Sequence, residues 1–294
     1  MIVEVTRGSL VESAHDVAAC ATDARGEVVF ASGDVEAPVY LRSSAKPFIA
    51  GAVIAAGARE RFGLDEREIA IIAASHSGQL FHVNAVRSIL HKIELPESAL
   101  FCGPALPYNE KAAQALVRSG REPSAIENNC SGKHAGILAL CRILDADTTT
   151  YLDPRNPAQR EILAFCARLC DDDPQRWPVG VDGCGIPVFA TSLRRASLAF
   201  SRLATLEGIE VRDAQALAIV RGAMLARPEY VAGTGEFDSE LMRVGDGAIV
   251  SKGGAEGVHG VAAIAQGLGY ASKVLDGTAR ARAPSSIAAL RGLG

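Results

Sequence analysis

Hydrophobic and polar positions alternate over residues 1–6, and short apolar runs bounded by turn residues return over 15–22 and 27–32. These patterns predict three strands, the last two joined at Asp23-Ala24-Arg25-Gly26, where glycine permits the positive φ that a hairpin needs. Residues 39–41 predict a short fourth strand. The period then changes. Residues 48–61 are apolar all round, which predicts a helix buried on most sides, and Pro47 suits its first turn because the missing N–H needs no partner there. Residues 66–74 pass from a charged turn into an apolar run. Helical spacing recurs over 81–93, 109–119, 156–170 and through 192–227, and a polar loop over 128–136 opens another helix to about 144. After Pro228, glycine clusters separate short β-like runs, clearest at 248–252 and 258–262, and 285–293 predicts a closing helix. Strands at both ends with helices between imply one sheet shared by the termini and a helical insertion. The expected organisation is a single domain over 1–294, with a sheet-containing part from 1–40 and 230–294 and a mainly helical part from 41–229.

The unusual polar residues fall at the junctions between these elements. Arg42-Ser43-Ser44-Ala45-Lys46-Pro47 puts Ser43 and Lys46 three apart, on one face of a first helical turn. A neutral amine beside a hydroxyl can take its proton as the oxygen attacks, and burial or a second cation lowers the amine's pKa enough for that. Free N–H groups at the helix start suit an oxyanion. An N-cap serine beside a solvated lysine gives the same spacing. Ser75-His76-Ser77-Gly78 ends the apolar run at 69–74 and offers Ser75 as a proton relay, or as a turn residue.

Asn129-Cys130-Ser131-Gly132-Lys133-His134 resembles a phosphate loop only in its Gly-Lys. Glu127 stands where the first glycine is required, and His134 where a magnesium-binding Ser or Thr belongs. That reading fails, and Cys130, Lys133 and His134 at a helix start leave thiolate or metal chemistry. Asp182-Gly183-Cys184-Gly185 presents a carboxylate and a thiol on a glycine-rich bend over 179–187. Lys252 ends a β-like run before Gly253-Gly254, where a ligand can approach the backbone. Gly233-Thr234-Gly235-Glu236-Phe237-Asp238 lacks the third glycine of a dinucleotide fingerprint and opens no obvious helix, so it is set aside.

Composition narrows the partner. The chain has 294 residues, 48% of them hydrophobic, enough for a sizeable core. With 22% charged residues, a net charge of -4 and no basic run beyond Arg194-Arg195 and Arg280-Ala281-Arg282, nucleic acid is not expected. Aromatic residues are 5%, too few for a base-stacking platform, so a small molecule is the expected partner. The apolar stretch at 48–58 is too short to span a bilayer, and residues 1–7 lack the basic start and apolar centre of an export signal. Seven cysteines without disulfide-framework spacing fit a reducing cytoplasm, with Cys20, Cys102, Cys141, Cys166 and Cys170 read as small buried hydrophobes.

In order and spacing, the Ser-x-x-Lys start, the mid-chain serine loop and the late Lys-Gly strand resemble serine β-lactamases and penicillin-binding proteins. The chain departs from them in having no Ser-Asp-Asn and in reading Lys252-Gly-Gly for Lys-Thr/Ser-Gly. Five blocks taken together are similar to another group over nearly the whole length. They are Arg42-Ser-Ser-Ala-Lys-Pro47, Ala74-Ser-His-Ser-Gly78, Asn128-Asn-Cys-Ser-Gly-Lys-His-Ala-Gly136, Val181-Asp-Gly-Cys-Gly185 and Lys252-Gly-Gly-Ala-Glu-Gly257, and they resemble the L-asparaginase II family, the rhizobial-type thermolabile asparaginases.

That resemblance implies an α/β fold of the serine β-lactamase and penicillin-binding-protein type, with a central, largely antiparallel sheet from both chain ends and a helical middle. It implies a homodimer that hydrolyses L-asparagine to L-aspartate and ammonia. Ser43 corresponds to the nucleophile and Lys46 to its base, while Ser75 and Lys252 correspond to a second Ser/Lys pair facing the first. Cys130, Lys133 and Cys184 correspond to a zinc site of two thiolates and a lysine amine, and Arg42, Asp182 and His134 to substrate-facing or supporting groups. Two alternatives stand beside it. One is a β-lactamase-like or penicillin-binding-protein-like serine hydrolase, disfavoured by the lack of an export signal. The other is a non-catalytic amino-acid-binding or zinc-binding protein of the same fold, disfavoured by the presence of Ser43, Lys46, Ser75 and Lys252 together.

Overall fold

A computed structural model describes residues 1–293. The strands are β1 (Ile2–Arg7), β2 (Leu10–Thr22), β3 (Val28–Ser32), β4 (Pro38–Tyr40), β5 (Val179–Val181), β6 (Pro187–Ser192), β7 (Ile249–Gly253), β8 (Val258–Ala263) and β9 (Leu268–Val274). β1 pairs with the first half of β2 and β3 with its last residues, both along one edge; the Met1 amine closes the junction with bonds to Val17 O and Ser32 Oγ. On its other side β2 pairs with β9, followed by β8 and β7, all antiparallel. The two chain ends therefore build one antiparallel sheet around a helical middle, as the strand pattern predicts.

Helix Leu193–Thr205 lies flat on β8 and β9. That approach depends on Gly269, where an added β-carbon would stand 1.9 Å from the Ser197 carbonyl oxygen. Phe200 carries the contact onward to Phe48, ring centroids 4.9 Å apart, in the central helix Lys46–Ala55. That helix is buried at every position but its last, and it packs against Val211–Ala226, Pro157–Cys170 and Ser131–Ile143. Full burial of one such large apolar side chain contributes about 1.5–3 kcal/mol relative to leaving it exposed. One core cluster runs from strand residues Cys20, Val250 and Ala271 into these helices.

Several expectations are corrected. The helix expected over 48–61 is two, Lys46–Ala55 and Ala58–Phe62, broken at Gly57, whose φ of 92° no continuous helix allows. Residues 66–74 form a helix, Glu66–Ile72, started by a capping box between Asp65 and Glu68. β2 begins at Leu10, five residues before the predicted start, because its exposed first half is held by pairing with β1 and not by burial. The bend over 179–187 is the β5–β6 hairpin, which joins β4 in a second, three-stranded sheet and holds Asp182 and Cys184 at its tip. β9 and helix Phe237–Val244 were not expected. β9 is rich in Gly, Ala and Ser, and its burial comes from lying between two strands under a helix.

Candidate active site

At the end of β4 the Leu41 N–H donates to Phe189 O at 3.0 Å, and Arg42 then takes a φ of 49°. A non-glycine residue held in that region stores about 1–3 kcal/mol of strain and persists only where its surroundings fix it. Here Asp182, from the β5–β6 tip, fixes it: Oδ1 accepts from Arg42 Nε at 2.9 Å and lies 2.8 Å from Nη2. The 3₁₀ turn Arg42–Ala45 that carries Ser43 runs straight into helix Lys46–Ala55. Gly254, just past β7, presses on this turn; a β-carbon there would lie 3.3 Å from Ser43 N and 3.2 Å from Arg42 Cβ.

Lys46 is fully buried, and its amine donates to Ala74 O at 2.6 Å, Ser75 Oγ at 2.9 Å and Cys130 Sγ at 3.3 Å. No hydrogen bond joins it to Ser43 among the described residues. The loop bearing Ser75 is pinned from two sides, Ser75 N–H donating to Val231 O at 2.9 Å and His76 N–H to Asn129 O at 3.2 Å. Ser43 and Ser75 open onto one cavity of about 290 Å³, shared with Ser77, Asn129, Asp238 and Arg282. Burial lowers the Lys46 pKa; Cys130 works against this and Lys133 adds to it.

Lys252, on β7 opposite Gly260, is also fully buried. Its amine donates to Gly253 O at 2.7 Å and stands 3.9 Å from Asp238 Oδ2. Burial pushes its pKa down to about 7; the Asp238 charge opposes the fall, and Lys46 and Arg282 deepen it. Asp238 is buried in the first turn of Phe237–Val244, accepting from Ser251 Oγ and Gly253 N, each at 2.8 Å. His259 Nε2 lies 3.2 Å from the same carboxylate, and its Nδ1 lies 2.6 Å from Ser286 Oγ. Burial alone would raise the Asp238 pKa. The His259 hydrogen bond and the Lys252 charge outweigh it and hold the carboxyl well below the usual range.

Cys130 is the N-cap of helix Ser131–Ile143, and Lys133 lies in that helix's first turn. The Lys133 amine donates to Cys184 Sγ at 3.1 Å, so the β5–β6 tip and the helix start bring Cys130, Lys133 and Cys184 together in one buried cluster beside Lys46. Its interaction with the Cys184 thiol, reinforced by the Lys46 and Lys133 charges, lowers the Cys130 pKa well below the ordinary thiol range. The Cys184 thiol moves in the opposite direction, raised by Cys130 and by burial. Among the described residues no group of three or more His, Cys, Asp and Glu is arranged to hold a metal ion. A metal at this cluster therefore depends on the Lys133 amine.

His134 does not line the cavity. Its ring is fully buried, Nδ1 is 2.7 Å from Tyr151 OH, and Nε2 has no partner. Asp238, His259 and Arg282 escaped the sequence reading. The signal for Asp238 was the glycine-rich stretch before it, and only the distant partners on β7, β8 and the last helix give that residue a meaning.

No curated protein matches the chain in sequence. Among solved structures, one of Mglu in its native form at high salt shares 14% identity with a TM-score of 0.41, covering 94% of this chain and 60% of that one. A second Mglu structure shares 13% with a TM-score of 0.41, covering 92% and 64%. A protein of Bacteroides dorei DSM 17855, provisionally described as a beta-lactamase, shares 15% with a TM-score of 0.40, covering 87% and 84%. The chain thus spans less than two thirds of the length of the Mglu structures. The family model for L-asparaginase II matches residues 3–294, and the chain belongs to the L-asparaginase II family.

Proposed function

We propose that this hydrolase-family protein converts L-asparagine to L-aspartate and ammonia through an ester formed on Ser43. The observation that carries the reading is that Ser43 and Ser75 line one small cavity and that Ser75 accepts a hydrogen bond from the fully buried Lys46 amine behind it. A side-chain amide is a poor electrophile, so covalent catalysis with an activated hydroxyl suits it. Ser43 Oγ attacks the amide carbon and its proton passes toward a neutral lysine amine. The tetrahedral intermediate expels ammonia as the protonated amine returns its proton to the departing nitrogen. Water then attacks the ester and restores Ser43 with release of L-aspartate. The Lys46–Ser75 contact supports a path in which Ser75 relays the Ser43 proton to Lys46, with Lys252, buried beside the cavity-lining Asp238, as the second amine. A positioned acid or base of this kind contributes about 10²–10⁴ in rate.

The donor set Cys130, Cys184 and Lys133 fits zinc: two sulfurs and a nitrogen, already gathered in a buried cluster, match the metal's S and N preference once Lys133 loses its proton on binding. When bound, the ion supplies a fixed positive charge that orients the substrate and sharpens the field around the cavity. By resemblance to its family, the protein works as a single-domain homodimer in the cytoplasm. No helix among the described residues is long and apolar enough to cross a membrane. The test is ammonia release from L-asparagine and L-glutamine, run beside hydrolysis of a chromogenic cephalosporin. Turnover of asparagine is expected, and turnover of the cephalosporin alone overturns the reading.

A further inference from the structure

Arg282 opens the closing helix Arg282–Gly292 and lines the cavity shared by Ser43 and Ser75. Its guanidinium lies over the α-carbon of Gly253, where an added β-carbon would stand 2.4 Å from Nη1 and 3.0 Å from Asp238 Oδ2. Nη1 makes one long hydrogen bond, 3.3 Å, to Gly254 O, while Nε is buried without a partner. The nearby Asp238 carboxylate is already committed to Ser251, Gly253 and His259. Arg42 and Arg168 are paired with Asp182 and Asp213, whereas Arg282, like Arg202 and Arg221, enters no ion pair among the described residues; of these three it is Arg282 that lines the cavity. A guanidinium carries five donors in a planar fork and keeps its charge at any physiological pH, so an unmatched one at a cavity wall is a receptor for a carboxylate.

Its place relative to the nucleophile sets the class of ligand. The Gly254 carbonyl accepts from Arg282, and the Gly254 α-carbon packs on Ser43 N. The carboxylate receptor and Ser43 thus flank a single residue, which suits a substrate whose carboxylate and amide are separated by a very short carbon chain. Glu236 and Glu256 line the same cavity and provide negative charge for an ammonium group. We infer that Arg282 anchors the α-carboxylate of a free L-amino acid bearing a side-chain amide, so that substrates with a blocked α-carboxylate are refused. This rests on the amide-hydrolase reading above.

The experiment compares wild type, Arg282→Gln and Arg282→Lys with L-asparagine and with its α-methyl ester, thermal melting serving as the check on folding. Wild type is expected to favour the free acid strongly. Arg282→Gln is expected to raise KM for asparagine about 10- to 100-fold with a much smaller change in kcat, and to bring acid and ester within a few-fold of each other. Arg282→Lys keeps the charge without the fork and should fall between the two, and it answers the question if the glutamine variant fails to fold. A folded Arg282→Gln with wild-type KM and wild-type discrimination overturns the anchor. Calorimetry with L-aspartate separates the two readings, because it does not depend on turnover. Absence of ammonia release from wild type counts against the hydrolase; equal L-aspartate binding by wild type and Arg282→Gln counts against the anchor.

Discussion

The Lys46 amine donates to the Ser75 hydroxyl at 2.9 Å and not to Ser43, its neighbour three residues earlier in the same turn. The long Lys46 stem carries its amine down into the core, to the Ala74 carbonyl at the end of another element, while Ser43 stays at the cavity wall. In the proposed reaction the two serines use this amine in different ways, and substitution separates them. Ser43→Ala is expected to abolish ammonia release with an unchanged melting temperature. Ser75→Ala should retain an ester-forming serine and lose about 10²–10⁴ in kcat. A Ser43→Ala protein that still turns over, beside a dead Ser75→Ala protein, exchanges the two roles.

Lys252 predicts the pH dependence. With a pKa near 7 its amine is protonated and unable to accept a proton below that value, and neutral above it. The logarithm of kcat/KM should rise with pH up to about 7 and level off above it. A profile flat across that range removes Lys252 as a base. Stability carries the same sign: the folded pKa lies below the ordinary 10.5, the unfolded chain binds the extra proton, and stability rises with pH from about 7 to 10.5.

Asp238→Asn tests the carboxylate that faces Lys252. Removing this charge takes away the main influence raising the Lys252 pKa, so the rise in activity should move to lower pH. The same change weakens the buried acceptor shared by Ser251, Gly253 and His259, at a cost of about 1–3 kcal/mol, read as a lower melting temperature. Because the Asp238 pKa is held below its ordinary 3.8, its contribution is present above that pH and lost as pH falls below it, and the variant should lack this acid-sensitive part. An unmoved activity profile would sink the proposed coupling.

Gly132 lies between Cys130 and Lys133, with its α-carbon against the Ile71 carbonyl; an added β-carbon would sit 2.2 Å from that oxygen. Gly132→Ala must push the helix start away from Ile71, and with it both groups of the cluster. Overpacking of this kind costs about 1–3 kcal/mol. Thermal melting and ammonia release should fall together. Unchanged melting would mean that the helix has room that the packing denies.

Elemental analysis of purified protein tests the zinc reading directly, with about one zinc per chain expected. Cys184→Ser replaces a soft donor by a hard one and should lose metal and raise KM while leaving most of the melting temperature intact. Protein without zinc, together with unchanged kinetics in Cys184→Ser, removes the metal from the proposal.

Much of this protein is determined by local pattern. Strands at both ends, helices between and polar punctuation at their junctions follow from hydrophobic period and turn residues, which act over a few positions and need no partner. Ser43, Lys46, Ser75, Cys130, Lys133, Cys184 and Lys252 stand out for the same reason, each being a reactive group at an element boundary. The tertiary structure decided the rest. β9 is a buried strand because β2 and β8 enclose its small residues. Asp238, on a stretch with no recognisable fingerprint, became a buried anion through Ser251, Gly253 and His259. Lys46 found Ser75, 29 residues away, in place of its sequence neighbour. Pairings of this sort are set by where whole elements pack, and charge, burial and hydrogen-bond partner are properties of that packing and not of the residue itself.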